Sequence, residues 1–180
     1  MFKIEDMYWL SGFDSDGFSI FGAMFIGTNG QLTHLARMAD LGNASYSSIC
    51  EDVRPAPDSQ IVTRAEQIKE MLNSLGMQGK RIGIQVDTMG LTPRLFLQIK
   101  SALDGWCKLT IAPDFIRELR LVKSPQELDY LRKAGEIMDI AMEKTIEATF
   151  SGAYEGDIYA TFYDTLFRLG GDLPAHIPPL

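Results

Sequence analysis

Histidine and cysteine are scarce in this chain, with two of each in 180 residues. Cys50 and Cys107 lie far apart and form no CxxC, so neither a disulfide framework nor a cysteine zinc site is present. They read as small buried hydrophobes in a reducing compartment, and a cytoplasmic location is expected. The histidines are His34 and His176, and neither HExxH nor another paired-histidine spacing occurs. GxSxG, the Walker A loop and GxGxxG are absent as well. Positive charge is in deficit: 17 Lys and Arg face 24 Asp and Glu, a net charge of −7, and the basic residues are scattered. That balance speaks against nucleic acid or an anionic membrane as a partner. Long apolar runs are missing too. The stretch from Phe18 to Gly27 is about ten residues, where a membrane helix takes roughly 20. Glu5, Asp6 and Ser11-Gly12 interrupt any signal-peptide core at the N-terminus.

What remains is the composition of a globular α/β protein, 46% hydrophobic and 23% charged. Met7-Tyr8-Trp9-Leu10 is short and aromatic and predicts a strand, broken by the Gly/Asp/Ser-rich loop Ser11 to Gly17. Phe18 to Ile26 predicts a second strand, and Asn29-Gly30 a hairpin returning antiparallel through Leu32 to Leu35. Arg37 to Ser48 fits a short helix or a loop. Glu51 to Arg54 fits a strand stopped by Pro55-Ala56-Pro57. From Gln60 to Leu75 the period becomes helical, with Ile61, Ala65, Ile68, Met71, Leu72 and Leu75 on one face. Arg81 to Asp87 alternates as a strand. Thr92-Pro93 opens a helix to about Leu103, and Trp106 to Ile111 is a further strand. The pattern is an α/β sandwich around a mixed sheet.

Near Leu119 the character changes. Ser124-Pro125-Gln126-Glu127 is a capping box with proline just inside the helix start. An apolar stripe then runs from Leu128 to Ile146, and Gly152 ends the segment. A second helix spans about Glu155 to Leu169 and stops at Gly170-Gly171. Two long consecutive helices after an α/β unit predict two parts, residues 1–120 and 121–180, joined by a linker near Arg120 to Ser124. Helices packed instead onto the main sheet would fit an unrelated small α/β ligand-binding domain.

Trp9, Phe13, Asp14, Asp16 and Phe18 surround the first loop. Aromatics and acids at such a mouth can form a recognition pocket. Equally, Trp9 and Phe18 can be core and the aspartates turn formers. His34, beside Leu32 and Leu35, is expected to be structural or solvent-facing. The carboxylates Glu127, Asp129, Glu136, Asp139 and Glu143 are expected on a solvated helix face.

Leu119-Arg120-Leu121-Val122-Lys123-Ser124-Pro125-Gln126-Glu127-Leu128, followed by Leu131-Arg132-Lys133-Ala134, resembles the "LR-x-x-KSPxE" junction of the creatinase/prolidase/aminopeptidase P family. Gly152 to Ile158 resembles that family's next turn, "G-x-T-E-x-E-I", with Tyr154 in place of Thr. Met7 to Phe13 resembles its "N-x-x-YLTG(F/Y)" segment, and Arg81-Ile82-Gly83-Ile84 with Asp87 its "RIGVE" strand. These motifs stand in family order over most of the chain. "MYWLSGFD" with "GGDLPA" is most similar to the creatinase-like and ectoine-hydrolase-like branch.

The resemblance implies a fold and a chemistry. The fold is a mixed-sheet, ribonuclease H-like amino-terminal domain over 1–120, followed over 121–180 by the first two helices of an incomplete pita-bread catalytic domain. In family members a helix and a strand precede the first motif. Here Met1 stands just ahead of Tyr8, so an uncovered sheet edge open to association is expected. Family hydrolases cleave an amide C–N bond with two divalent metals (Mn, Co or Zn) held by two Asp, one His and two Glu, creatinase itself using a histidine instead. Those ligands all lie downstream of "GGDxPA", and none matches a residue here, His176 included. No catalytic residue, metal ligand or cofactor is therefore assigned within this chain. Creatinases carry Phe-x-Arg after the first strand, whereas Phe18-Ser19-Ile20 keeps the aromatic and lacks the cation, which argues against a guanidino-acid substrate. The implied role is dimerisation and shaping of a partner subunit's substrate entrance through Trp9, Phe13, Asp14 and Phe18. The implied partners are a second copy and, for the full-length protein, a dipeptide or small amino-acid derivative. A non-catalytic binding or assembly module, or a remnant of a peptidase-like gene, is the alternative.

Overall fold

The computed structural model describes residues 1–15, 21–58 and 61–173. Residues Met1–Arg120 form one compact unit and Leu121–Leu180 another.

The first unit opens with helix α1, Ile4–Ser11. This corrects the strand expected at Met7 to Leu10. Met7 and Ser11 are buried four residues apart, and Tyr8 and Trp9 are exposed, which is a helical and not an alternating pattern. The signal was hidden because the third buried position of this face is the charged Asp6. Strands β1 (Ala23–Ile26) and β2 (Leu32–Arg37) form the hairpin expected of Asn29-Gly30, with Ala23 opposite Leu35 and Ile26 opposite Leu32. A 3-10 turn at Met38–Asp40 leads into α2, Leu41–Ser47. Strand β3, Asp52–Ala56, then pairs parallel to β2. β3 runs through Pro55 and is not stopped by it. It is an edge strand of the sheet β1-β2-β3, where a missing N–H costs no ladder bond on the open side.

Helix α3, Arg64–Ser74, starts at a Thr63/Glu66 capping box. Its buried face is Ala65, Ile68, Met71 and Leu72. Ile61, expected on that face, precedes the helix and is 89% exposed, and Gln60 lies outside the described residues. Strands β4 (Arg81–Ile84) and β5 (Lys108–Ile111) form a separate parallel pair joined through α4, Pro93–Leu103. The main core lies between the strands and α3 and α4, around Leu35, Ile68, Leu72, Ile82, Ile84, Ile99 and Leu103. A smaller core on another face joins Met7, Phe13, Met24 and Ala44. Helix α5, Phe115–Leu121, occupies part of the expected linker. With seven residues and only Ile116 buried, it left no periodic signal.

In the second unit, α6 (Pro125–Ala148) and α7 (Glu155–Arg168) pack on each other, with Ala141 and Leu166 buried. Ser124 caps α6 as expected: its hydroxyl accepts from the Glu127 N–H at 3.2 Å, and Glu127 accepts from the Ser124 N–H at 2.7 Å. Among the described residues, no helix is long and apolar enough to cross a membrane.

Candidate functional site

The turn that leaves α1 is locally programmed. Gly12 takes φ 75°, a left-handed cap, and its N–H returns to the Tyr8 carbonyl at 2.7 Å. The Ser11 hydroxyl donates to the Met7 carbonyl at 2.8 Å and accepts from the Phe13 N–H at 3.2 Å. Helix α2 then holds the turn from outside. The Asp14 N–H donates to Ser47 Oγ at 3.1 Å, the Asn43 amide donates to the Asp14 carbonyl, and the Ile49 N–H donates to the Ser11 carbonyl at 2.7 Å. Asn43 and Ser47 carried no signal of this role, because the contact spans about thirty residues of sequence.

The four residues singled out from sequence fall in different environments. Phe13 is buried at 3% exposure and meets the His34 ring edge-on, with centroids 4.4 Å apart and planes at 69°. Asp14 is exposed. Trp9 stands on α1 at 39% exposure. Phe18 and Asp16 lie outside the described residues. Beyond them, Phe21 is held under the Arg64 guanidinium, 4.6 Å from its ring centroid. Phe13 thus supports the turn from beneath, and Asp14 is presented by it.

His34 is structural. It is fully buried on β2, and neither ring nitrogen has a hydrogen-bond partner among the described residues. Burial pushes its pKa down to about 4, opposed in part by the Asp40 charge. Burial likewise raises the Cys50 and Cys107 thiols, so neither is an activated nucleophile.

Beneath α1 lies a second polar centre. Asp6, fully buried, accepts from Arg120 at 2.7 Å and from the Gln85 amide at 2.6 Å. The Gln85 carbonyl in turn accepts from the N–H groups of Phe2 and Lys3 at 3.2 and 3.1 Å. This is a closed structural network, which ties the start of the chain to β4 and α5. Among the described residues, no three His, Cys, Asp or Glu side chains group as a metal site would require. The described residues therefore do not fit the divalent metal pair that the family implies.

Residues 1–122 match the model of the creatinase/prolidase N-terminal domain. An uncharacterized hydrolase/peptidase, y4tM, of Sinorhizobium fredii is 25% identical over 181 residues, covering 95% of this chain and 46% of that protein. The ectoine hydrolase of Halomonas elongata is 21% identical over 192 residues, covering 98% and 48%. The chain spans about half the length of the curated relatives it matches. Among solved structures, a Xaa-Pro dipeptidase from Bacillus anthracis aligns at TM-score 0.65 and 19% identity over 92% of this chain and 42% of that one. The prolidase from Pyrococcus furiosus aligns at 0.63 and 21% over 92% and 43%. At these identities the structures speak for the fold alone. The ordered motifs, the mixed α/β unit and the match over residues 1–122 lead to one conclusion: the chain belongs to the creatinase/prolidase N-terminal domain family.

Proposed function

We propose that this chain serves as the amino-terminal portion of a Xaa-Pro dipeptidase/creatinase-like amide hydrolase. In this reading the first unit dimerises and shapes the substrate entrance of a partner subunit, and the chain alone does not catalyse. The observation that carries the reading is the turn at Gly12 to Asp14. Three hydrogen bonds, two from α2 and one from the Ile49 N–H just beyond it, tie down the turn, and Asp14 is exposed on it. A rim that must select a small amide needs such a fixed polar group, because positioning is lost when the supporting backbone moves. Half-exposed Trp9 adds an aromatic face one turn earlier on α1. The substrate class is a dipeptide or a small N-substituted amino acid, whose ammonium or amide N–H an exposed carboxylate can accept from.

Sedimentation equilibrium of the purified chain tests the assembly. A dimer of twice 20.1 kDa is expected. A monomer throughout the micromolar range would remove dimerisation from the proposal.

A further inference from the structure

Helix α1 is too short to hold itself. It has eight residues, and Lys3 at its N-cap makes no side-chain hydrogen bond to it. Isolated helices below about 12 to 15 residues are marginal in water, so α1 is placed by contacts from distant parts of the chain. Its far end is tied to α2 and the residue beyond: the Asp14 N–H donates to Ser47 Oγ, and the Ile49 N–H to the Ser11 carbonyl. Its near end is tied through Gln85, Asp114 and Arg120. The Gln85 carbonyl accepts from the N–H groups of Phe2 and Lys3. Lys3 Nζ lies 3.6 Å from the carboxylate of Asp114, the residue directly ahead of α5. Arg120, in the last turn of α5, holds Asp6 at 2.7 Å. Helix α5 and the residue before it therefore grip the start of α1 at two points, Lys3 and Asp6. Two points fix a direction, where one fixes only a pivot.

These links are unequal. Lys3 and Asp114 are both partly exposed, and such a pair carries little weight. Asp6 has no exposure at all. A carboxylate is tolerated there because Arg120 supplies the opposite charge, and removing one member of such a pair leaves a charge uncompensated in the interior. The relief open to the chain is to bring that carboxylate to water. On a helix of two turns this moves the whole element, because Asp6 and Gly12 are only about 9 Å apart along its axis. Trp9 stands three residues beyond Asp6, and Gly12 to Asp14 follow directly.

We propose that Arg120 is a positioning residue for the surface formed by Trp9 and Asp14. It acts through Asp6, which sets the direction of α1, and α1 sets where the indole and the turn stand. The turn is thus held from both sides, by α2 at its own backbone and by Arg120 through the helix that leads into it. The inference rests on the proposed role of this surface for its functional meaning. Its test reads the positioning alone, so a monomeric chain in sedimentation would remove dimerisation and leave the positioning standing.

The test follows the full chain by nuclear magnetic resonance. The reporters at the site are the Gly12 and Ile49 amides, which bond the Tyr8 and Ser11 carbonyls, and the Trp9 indole. The reporters in the main core are the Leu72 and Ile99 amides, within α3 and α4, and the Trp106 indole. Arg120→Ala is expected to speed exchange at Gly12 and Ile49 by at least about tenfold more than at Leu72 and Ile99. It is also expected to shift the Trp9 indole resonance and leave that of Trp106 in place. Arg120→Lys keeps a cation without the planar fork, so the same pattern is expected with an excess of about threefold. The lysine variant decides the matter if the alanine variant does not fold. Leu103→Ala, which opens the main core on α4, is the control and is expected to speed all four amides alike. Equal acceleration of the four amides in the Arg120 variants would overturn the proposal. So would an unmoved Trp9 indole, or the same excess at Gly12 and Ile49 in Leu103→Ala.

Discussion

Arg120 donates to Asp6 across 2.7 Å, joining the last residue of the first unit to a carboxylate with no exposure on α1. The two residues are 114 positions apart. Arg120 belongs to the "LR-x-x-KSPxE" motif, so a motif at the unit boundary also closes the fold of the first unit. Among the described residues, the Gln85 amide is the hydrogen bond that Asp6 keeps once that guanidinium is gone.

Arg120→Ala is therefore expected to lose about 3 kcal/mol of stability, because a buried carboxylate is left without its cation. Asp6→Asn, which removes the charge and keeps the shape, is expected to lose less. Urea unfolding of both variants checks the order, and an Arg120→Ala midpoint equal to the wild type would contradict the network.

His34 sets a pH dependence with a definite sign. Its folded pKa of about 4 lies below the ordinary value of 6.5, so the unfolded state binds the proton more readily. The stability this neutral imidazole permits is intact above about pH 6.5 and declines as pH falls toward 4. The decline amounts to about 3 kcal/mol. His34→Leu is expected to flatten the unfolding curve over this window. If wild type and variant lose stability in parallel from pH 6.5 to 4, other groups are responsible.

The Gly12 turn gives a paired test. Gly12→Ala strains a left-handed residue and sets a Cβ 2.7 Å from the Ser47 carbonyl, at a cost of about 3 kcal/mol. Gly30 has φ 82° but no atom within 4 Å of its Cβ position, so Gly30→Ala is expected to cost about 1 kcal/mol. Thermal unfolding by calorimetry separates the two, and equal losses would show that α2 does not clamp the turn.

Ser124→Ala removes the hydroxyl of the α6 capping box. A loss of about 1 kcal/mol is expected, confined to unfolding of the second unit. Ser124→Asp is expected to restore most of it, since aspartate caps as well as serine. A variant with unchanged unfolding by circular dichroism would remove the box from the account.

Local chemistry was legible and distant chemistry was not. Asn29-Gly30 announced its hairpin, and Ser124-Pro125 with Glu127 announced α6, because each signal lies within four residues of its effect. Helix α1 resembles a strand in sequence because Asp6, a charge on its buried face, is neutralised by Arg120 and hydrogen-bonded by Gln85 far along the chain. Pro55 looked like a strand terminator because the edge position of β3 is a property of the sheet. At the candidate site, Trp9, Phe13 and Asp14 stood out by composition. The α2 residues that position the turn, Asn43 and Ser47, did not, and nor did the burial of His34 under Phe13. Each of these depends on packing between elements that no periodicity records.

The central claim is that this chain shapes a hydrolase's entrance and does not itself supply the catalytic machinery. Its most direct test is turnover of a Xaa-Pro dipeptide by the purified full chain, saturated in turn with Mn²⁺, Co²⁺ and Zn²⁺. The account predicts proline release no faster than in buffer with the same metal. Metal-dependent release that follows the chain's concentration, and vanishes with a chelator, would contradict it.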